Sequence, residues 1–361
     1  MTERQDAGTG AGDGEDARTD ASTAAGGGPA VHADAPLRVA AIDLGTVSSR
    51  LSLACVRDGA IVDARKHTII TDLGEGVDAT GRFCAAAVER VVAACREFLA
   101  EVEAFAPVGV CCTLTSAARD AENGGVLLDA LRDLGLRPQV IPGEVEARLT
   151  FYGVAHDFAD ERIVVADSGG GSTELAVGRY APEAAPALAL DHVRSINIGC
   201  RRVTERYLHA VPPTEAQLDE ARAFARSVFE EYWSGLPARP DRLVAVGGTV
   251  TTLVAMVHEL AVYDPAFVHL HALSLAEVEG AIARMHGLST DGIAQLPGVQ
   301  AKRAPVLLAG AVIIAELMRA GGYDELTVSE NSLLAGMAAT MYETIAGEEP
   351  AIGWKPELSG R

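Results

Sequence analysis

The chain has 361 residues, with 50 Asp and Glu against 30 Lys and Arg and a net charge of −20. That balance argues against general nucleic-acid binding, which needs a basic face. It still admits an anionic ligand where local arginines and backbone N–H groups build a positive pocket, and a phosphate ligand would call for a divalent cation.

The length suits about two domains, each large enough for its own core. Residues 1–36 are rich in Gly, Ala, Asp, Thr and Glu, lack aromatic residues, and read as a disordered acidic tail. They lack the charged start and apolar h-region of a signal peptide. No apolar run is expected to approach the length of a membrane span, so a cytoplasmic location, with no membrane and no nucleic-acid partner, is expected.

In chain order, strands are expected at 38–41, 51–56 and 61–69, then a helix at 83–103 and a strand at 108–113. A helix at 117–134 is stopped by Gly135. A strand at 138–141 leads to a helix beginning near Glu144. The order then repeats, with strands at 162–166, 173–177 and 192–198 and helices at 201–209 and 214–233. A strand at 243–246 is followed by helices at 250–260, 275–285 and 304–319. A last strand at 326–328 precedes a helix at 332–342. This duplication predicts two α/β domains, 37–155 and 156–330, with a C-terminal segment, 331–361, whose helix returns to the first domain before a short tail.

The pattern Asp-x-Gly-x-x-Ser-x-x-Leu occurs twice, from Asp43 through Gly45 and Ser48 to Leu51, and from Asp167 through Gly169 and Ser172 to Leu175. Each copy follows an apolar strand and leads into another. A Gly-bearing turn between paired strands can aim N–H groups at an anion while the carboxylate at its mouth holds a metal. Two copies suggest two related domains facing one phosphate site. The second copy is the stronger, because Gly169, Gly170 and Gly171 allow close backbone approach and Ser172 and Thr173 add hydroxyl donors. Asp167 and Glu174 stand at its two ends. Gly247-Gly248-Thr249, after a strand and before a helix, could offer helix N-terminal donors to an anion. Glu144, Glu146 and Arg148 open one helix, where acidic residues commonly complement the dipole. Thr115, Ser116 and Arg119 open another, with Thr115 suited to an N-cap.

The cysteines, at 55, 84, 95, 111, 112 and 200, form no C-x-x-C pair and read as reduced core residues. His269 and His271 alternate and could share one face of an extended segment, a pattern more often structural than metal-binding.

An ordered set of motifs resembles one family. It comprises Ala41-Ile42-Asp43-Leu44-Gly45-Thr46, Thr115-Ser116-Ala117-Ala118-Arg119-Asp120, residues 143–151 (GEVEARLTF), residues 167–175 (DSGGGSTEL), residues 247–252 (GGTVTT) and Leu296-Pro297-Gly298. The chain resembles the exopolyphosphatase/guanosine pentaphosphate phosphohydrolase (Ppx/GppA) family over about residues 38–342, in its short two-domain form. The resemblance implies duplicated actin-like domains, of the ribonuclease H-like, sugar kinase and Hsp70 type, with a cleft between them. It implies a Mg2+-dependent (or other divalent-cation-dependent) exopolyphosphatase that hydrolyses the terminal phosphoanhydride of inorganic polyphosphate.

By the same resemblance, Glu146 matches the base for the attacking water and Glu174 a second catalytic or metal-binding acid. Asp167 matches the metal-associated carboxylate, and Asp43, its counterpart in the first copy, is a second metal candidate. Gly169, Gly170, Gly171 and Ser172 match the phosphate loop. Gly45, Thr46, Ser48 and Arg119 fall on the opposite wall, and Gly248 and Thr249 on the third loop. Val47 stands where the family usually has Asn, Ser168 where it has Ile or Leu, and Pro305 where it has Asp, which leaves substrate preference open. Arg119, Arg148, Arg201, Arg202, Lys302 and Arg303 are candidates to line a polyphosphate channel. Alternatives are hydrolysis of the 5′-γ-phosphate of guanosine pentaphosphate, a kinase of the same fold, and a non-catalytic polyphosphate or alarmone sensor. A homodimer is compatible with the sequence, which identifies no interface.

Overall fold

Strand β1 (Leu37–Leu44) turns back into β2 (Ser48–Arg57) and β3 (Ala60–Ile70) as an antiparallel meander. The structure is a computed structural model and describes residues 35–360. The expected tail therefore lies, apart from Ala35 and Pro36, outside the described residues. After the meander, α1 (Val77–Thr80) and α2 (Ala85–Phe105) lead to β4 (Val110–Leu114), parallel to β1. Then come α3 (Ser116–Asp120), α4 (Gly124–Asp133), β5 (Pro138–Val140), parallel to β4, and α5 (Gly143–Ala155). β4 is buried along its whole length, as a strand covered on both faces must be.

The expected single helix at 117–134 is therefore two helices. Asn123 breaks it: its side-chain oxygen accepts from Phe83 N–H at 2.8 Å and its amide donates to Phe83 C=O at 3.0 Å. Gly124 and Gly125 follow, and neither favours helix continuation.

The second half repeats the plan. β6 (Arg162–Ser168), β7 (Thr173–Tyr180) and β8 (Leu188–Ile196) form the meander. α6 (Cys200–Tyr207) and α7 (Glu215–Ser234) lead to β9 (Arg242–Val246), parallel to β6. α8 (Gly248–Val257), α9 (Pro265–Val268), β10 (His271–Ser274), α10 (Leu275–Met285), α11 (Thr290–Ala294) and α12 (Ala304–Gly321) follow. β11 (Glu325–Val328) lies parallel to β9, and α13 (Leu333–Ala346) and β12 (Leu358–Ser359) end the fold. The sheet orders correspond: β3-β2-β1-β4-β5 in one and β8-β7-β6-β9-β11 in the other. β12 is added beside β4 and β10 beside β11.

The last helix of each half crosses between the sheets. α5 packs on β7 and β8, α13 packs on β1 and β2, and the two helices pack on each other. Small residues permit this. A Cβ on Gly336 would strike the backbone of Leu149, and one on Gly153 would meet Gly336 N at 2.5 Å. One apolar core consequently runs from Val39 and Ala41 through both helices to Val165 and Ala176.

The expectation of no membrane-length apolar run needs correction. Ala301–Gly321 is 21 residues long with a mean hydropathy of 1.6, yet 83% of its apolar window is buried inside the fold. It is a core helix, and its hydrophobicity is spent on both sheet and helix neighbours. Both alternating histidines have structural partners: His271 begins β10 and packs against His258 and Phe267, and His269 Nδ1 accepts from Glu330 N–H. They do not share one extended face, because Leu270 between them takes φ +62°.

Candidate active site

Both motif copies close in the same way. Gly45 N–H donates to Ser48 C=O and Gly169 N–H to Ser172 C=O, each at 3.0 Å. The strand registers pair Asp43 with Arg50 and Asp167 with Glu174. The repeat in the sequence is thus a repeat in geometry, with an arginine in one copy where the other has a glutamate.

The two turns touch across the cleft. A Cβ on Gly170 would lie 2.6 Å from Val47 Cγ2 and 2.8 Å from Thr46 Cβ, and one on Gly171 would lie 2.5 Å from Ser116 Oγ. Glycine is required there by close approach. Val47, which stands where the resembled family has a polar residue, is buried and joins the apolar core of the second half. Its side chain serves the contact between the turns. The N–H groups of Gly170 and Gly171 bond no backbone acceptor among the described residues, so they are free to meet an anion.

A third wall comes from the parallel strands. β4 leads into Thr115 and β9 into Gly247, equivalent positions just past the two strands. Gly247 adopts φ +99°, and a Cβ there would sit 3.1 Å from Asp167 Oδ1. It lets α8 start beside the carboxylate with its first N–H groups open. Thr115 precedes α3, but its hydroxyl makes no capping bond, contrary to the N-cap expectation.

Asp43, Gly45, Thr46, Ser48, Glu146, Asp167, Gly169, Gly170, Gly171, Ser172, Gly248 and Thr249 all line one cavity of about 70 Å³. Arg119 and Glu174 stand behind its wall. Arg119 donates to Glu146 Oε2 at 2.8 Å, to Ile141 C=O at 3.0 Å and to Ser172 Oγ at 3.3 Å, and lies 3.6 Å from Glu174 Oε1. Glu174 Oε1 accepts from Ser172 and Ser195, each at 2.7 Å. Gly143 allows this arrangement, since a Cβ there would strike Ser195. The close fit brings the first turn of α5, and Glu146 with it, against the second motif. Glu144 is exposed on the other side of that helix.

Arg50 is a site residue that the sequence reading missed. Its Nε and NH2 donate to Asp43 Oδ2 at 2.9 and 2.7 Å. Burial works against its charge, but Asp43 and Asp167 more than offset this and raise its pKa. The signal was its place opposite Asp43, the counterpart of Glu174. Arg303 also lines the cavity, against Gly248.

The other channel candidates are elsewhere. Arg201 pairs with Asp72, Arg202 with Asp78 and Asp120, and Arg206 with Asp78, tying α6 to the first half. Arg148 donates to Ile352 C=O at 3.4 Å, and Lys302 is exposed.

Could the carboxylates hold a divalent cation? Asp43 and Asp167 are both buried, and Asp43 Oδ1 has no hydrogen-bond partner. An orphaned carboxylate oxygen beside a second carboxylate, facing a phosphate-sized cavity, fits Mg2+, which commonly takes one or two carboxylates plus phosphate and water. No group of three or more His, Cys, Asp or Glu suited to a metal exists among the described residues, so a closed all-protein site is not offered.

Burial pushes Glu174 up from the ordinary 4.5 to about 7, with Asp167 adding to the effect while Ser172, Ser195 and Arg119 oppose it. Burial likewise holds Glu146 well above the usual carboxylate range, reinforced by Glu174 and opposed by Arg119. Asp167 is raised by burial against the pull of Arg50. A raised carboxyl contributes stability while protonated, and that contribution is lost as pH rises through its folded pKa. In ligand-free protein, Glu174→Gln is therefore expected to have a Tm close to the parent's below pH 4.5 and an increasingly higher one up to about pH 7, with the difference constant above that. Parallel Tm curves across that range would refute the assignment.

Residues 53–344 match the model of the Ppx/GppA phosphatase family. The chain belongs to that family. It is 36% identical over 321 residues to exopolyphosphatase 2 of Mycobacterium tuberculosis, covering 84% of this chain and 98% of that protein. Among solved structures it is similar to an exopolyphosphatase-like protein, at 33% identity and a TM-score of 0.78, covering 85% of this chain and 98% of that one. It is also similar to the Aquifex aeolicus member of the Ppx/GppA family, at 29% identity and a TM-score of 0.70 over 85% and 98% of the two chains. An exopolyphosphatase from Cytophaga hutchinsonii, at 23% identity and a TM-score of 0.74 over 88% and 100% of the two chains, shares the fold. The duplicated α/β architecture with its cleft is the actin-like ATPase fold.

Proposed function

We propose that this Ppx/GppA protein is an exopolyphosphatase that removes the terminal phosphate of inorganic polyphosphate. The observation that carries the reading is the convergence of two Gly-bearing turns, two buried aspartates and the Arg119–Glu146 pair on one small cavity. The exopolyphosphatase names of its relatives support the same chemistry.

The terminal phosphoryl group sits between the turns, where the Gly170 and Gly171 N–H groups, the Thr46 and Ser48 hydroxyls and the α8 N-terminus face its oxygens. Asp43 and Asp167 would hold a divalent cation, which when bound neutralises charge on those oxygens. Phosphoryl transfer depends mainly on such positioning and electrostatics. Glu146, fixed by Arg119, orients a water and takes its proton as the oxygen attacks phosphorus. The bridging P–O bond breaks, and the chain leaves one phosphate shorter. The raised pKa of Glu146 suits a proton acceptor, so the rate should increase with pH as that carboxyl ionises.

The test is orthophosphate release from long-chain polyphosphate and from guanosine pentaphosphate, side by side, with Mg2+ and with EDTA. Release from polyphosphate that EDTA abolishes is the expected result. Release from guanosine pentaphosphate alone would replace the substrate, and tight binding without release from either would make the protein a sensor.

A further inference from the structure

A second cavity, about 540 Å³, adjoins the phosphate cavity and shares with it the walls formed by Arg50, Gly247, Gly248 and Arg303. Its remaining walls come from both halves of the fold: Lys66 and Thr68 on β3, and Tyr263 and Glu330 opposite. Three cations and one carboxylate line it, in a chain of net charge −20.

The phosphate cavity is too small for a polymer. At about 70 Å³ it holds a few waters' worth of space, the scale of one phosphoryl group. Two further cavities share walls with it, one on the α6 side and one on the β3 side. On the α6 side, the ion pairs of Arg201, Arg202 and Arg206 with Asp72, Asp78 and Asp120 lie across the gap, and about 10 Å³ remains there. On the β3 side, the larger cavity is open.

The built features of that side favour anions. Arg303 has no carboxylate partner among the described residues, and its Nε donates to Gln300 at 3.2 Å. Its guanidinium lies against Gly248, at the first turn of α8. Gly298 makes this possible. It takes φ +78°, and a Cβ there would strike the Ala255 carbonyl, so the loop carrying Gln300 and Arg303 lies directly on α8. Lys66 Nζ donates to the Glu330 carbonyl at 2.5 Å and lies 3.6 Å from its carboxylate.

Resting on the polyphosphate reading above, we propose that this cavity holds the leaving-group chain of polyphosphate, which runs from the phosphate site past Arg303 and out between Lys66 and Tyr263. Lys66 is then a binding residue for the part of the chain that does not react. It contacts long substrates and not short ones.

The experiment is steady-state hydrolysis of long-chain polyphosphate and of triphosphate by the parent, Lys66→Ala and Lys66→Arg. Lys66→Ala is expected to raise KM for the long chain by about tenfold, the effect of one lost charged contact, with kcat nearly unchanged and triphosphate kinetics like the parent's. Lys66→Arg is expected to restore most of the long-chain affinity. Unchanged KM for both lengths in an active Lys66→Ala enzyme overturns the proposal. Equal losses on both lengths also overturn it, because Lys66 would then act through its tie to Glu330 and the closure of the cleft. A parent that hydrolyses no length of polyphosphate removes the underlying reading, and the proposal with it, and is distinguished from those two results by the parent's own inactivity.

Discussion

Glu146→Gln is expected to reduce phosphate release from polyphosphate by about 10²–10⁴-fold, the usual contribution of a positioned general base. The substitution keeps the size of the side chain and leaves a carbonyl oxygen to accept from Arg119, which bonds Glu146 Oε2 at 2.8 Å. What it removes is the proton acceptor. Because burial and Glu174 hold the Glu146 carboxyl high, the parent's rate should rise with pH as the group ionises, and the variant should lack that limb. The variant should still bind polyphosphate, since the turns, Asp43 and Asp167 are untouched. A variant as fast as the parent would remove Glu146 from the reaction. A rate lost together with Tm would mean that the residue mainly holds the start of α5 in place.

Gly336→Val is expected to destabilise the protein by about 3 kcal/mol, the upper end of ordinary overpacking costs. The argument is one of space. α5 and α13 approach with backbone against backbone, and even one carbon on Gly336 would collide with Leu149. No flexible side chain can move aside. The helices must separate, and they join the two sheets through the shared core. Activity should fall with stability, because α5 carries Glu146. Gly280→Ala is the control: Gly280 lies within α10 with nothing near its added carbon, and it should be neutral or slightly stabilising. Thermal unfolding of both variants decides the matter. A Gly336→Val protein with the parent's Tm would show that the helices tolerate a wider crossing.

The α6 arginines show where sequence reasoning stops. Arg201 and Arg202 read equally well as channel cations or as solvated surface charges. They are neither, because their partners Asp72 and Asp78 stand more than a hundred residues earlier in the chain. Asn123 is a milder case. Its neighbours, Gly124 and Gly125, signalled weak helix, but the break depends on a bond to Phe83 that only the folded chain can supply. Conversely, the apolar run at 304–319 was correctly read as helical. Its burial, rather than its composition, separates it from a membrane span.

The sequence by itself determined the local devices: the two Asp-x-Gly-x-x-Ser turns, the glycine-led start of α8, and the duplicated order of strands and helices. These depend on backbone freedom at glycine and on apolar periodicity, which neighbouring residues set among themselves. The tertiary structure decided which devices meet. It placed Arg119 against Glu146, 27 residues away, and matched Arg50 to Glu174 as counterparts in the two turns. It sealed one side of the cleft with ion pairs and left a cationic cavity on the other. Those outcomes depend on packing between residues far apart in the chain, and a linear pattern contains no record of them.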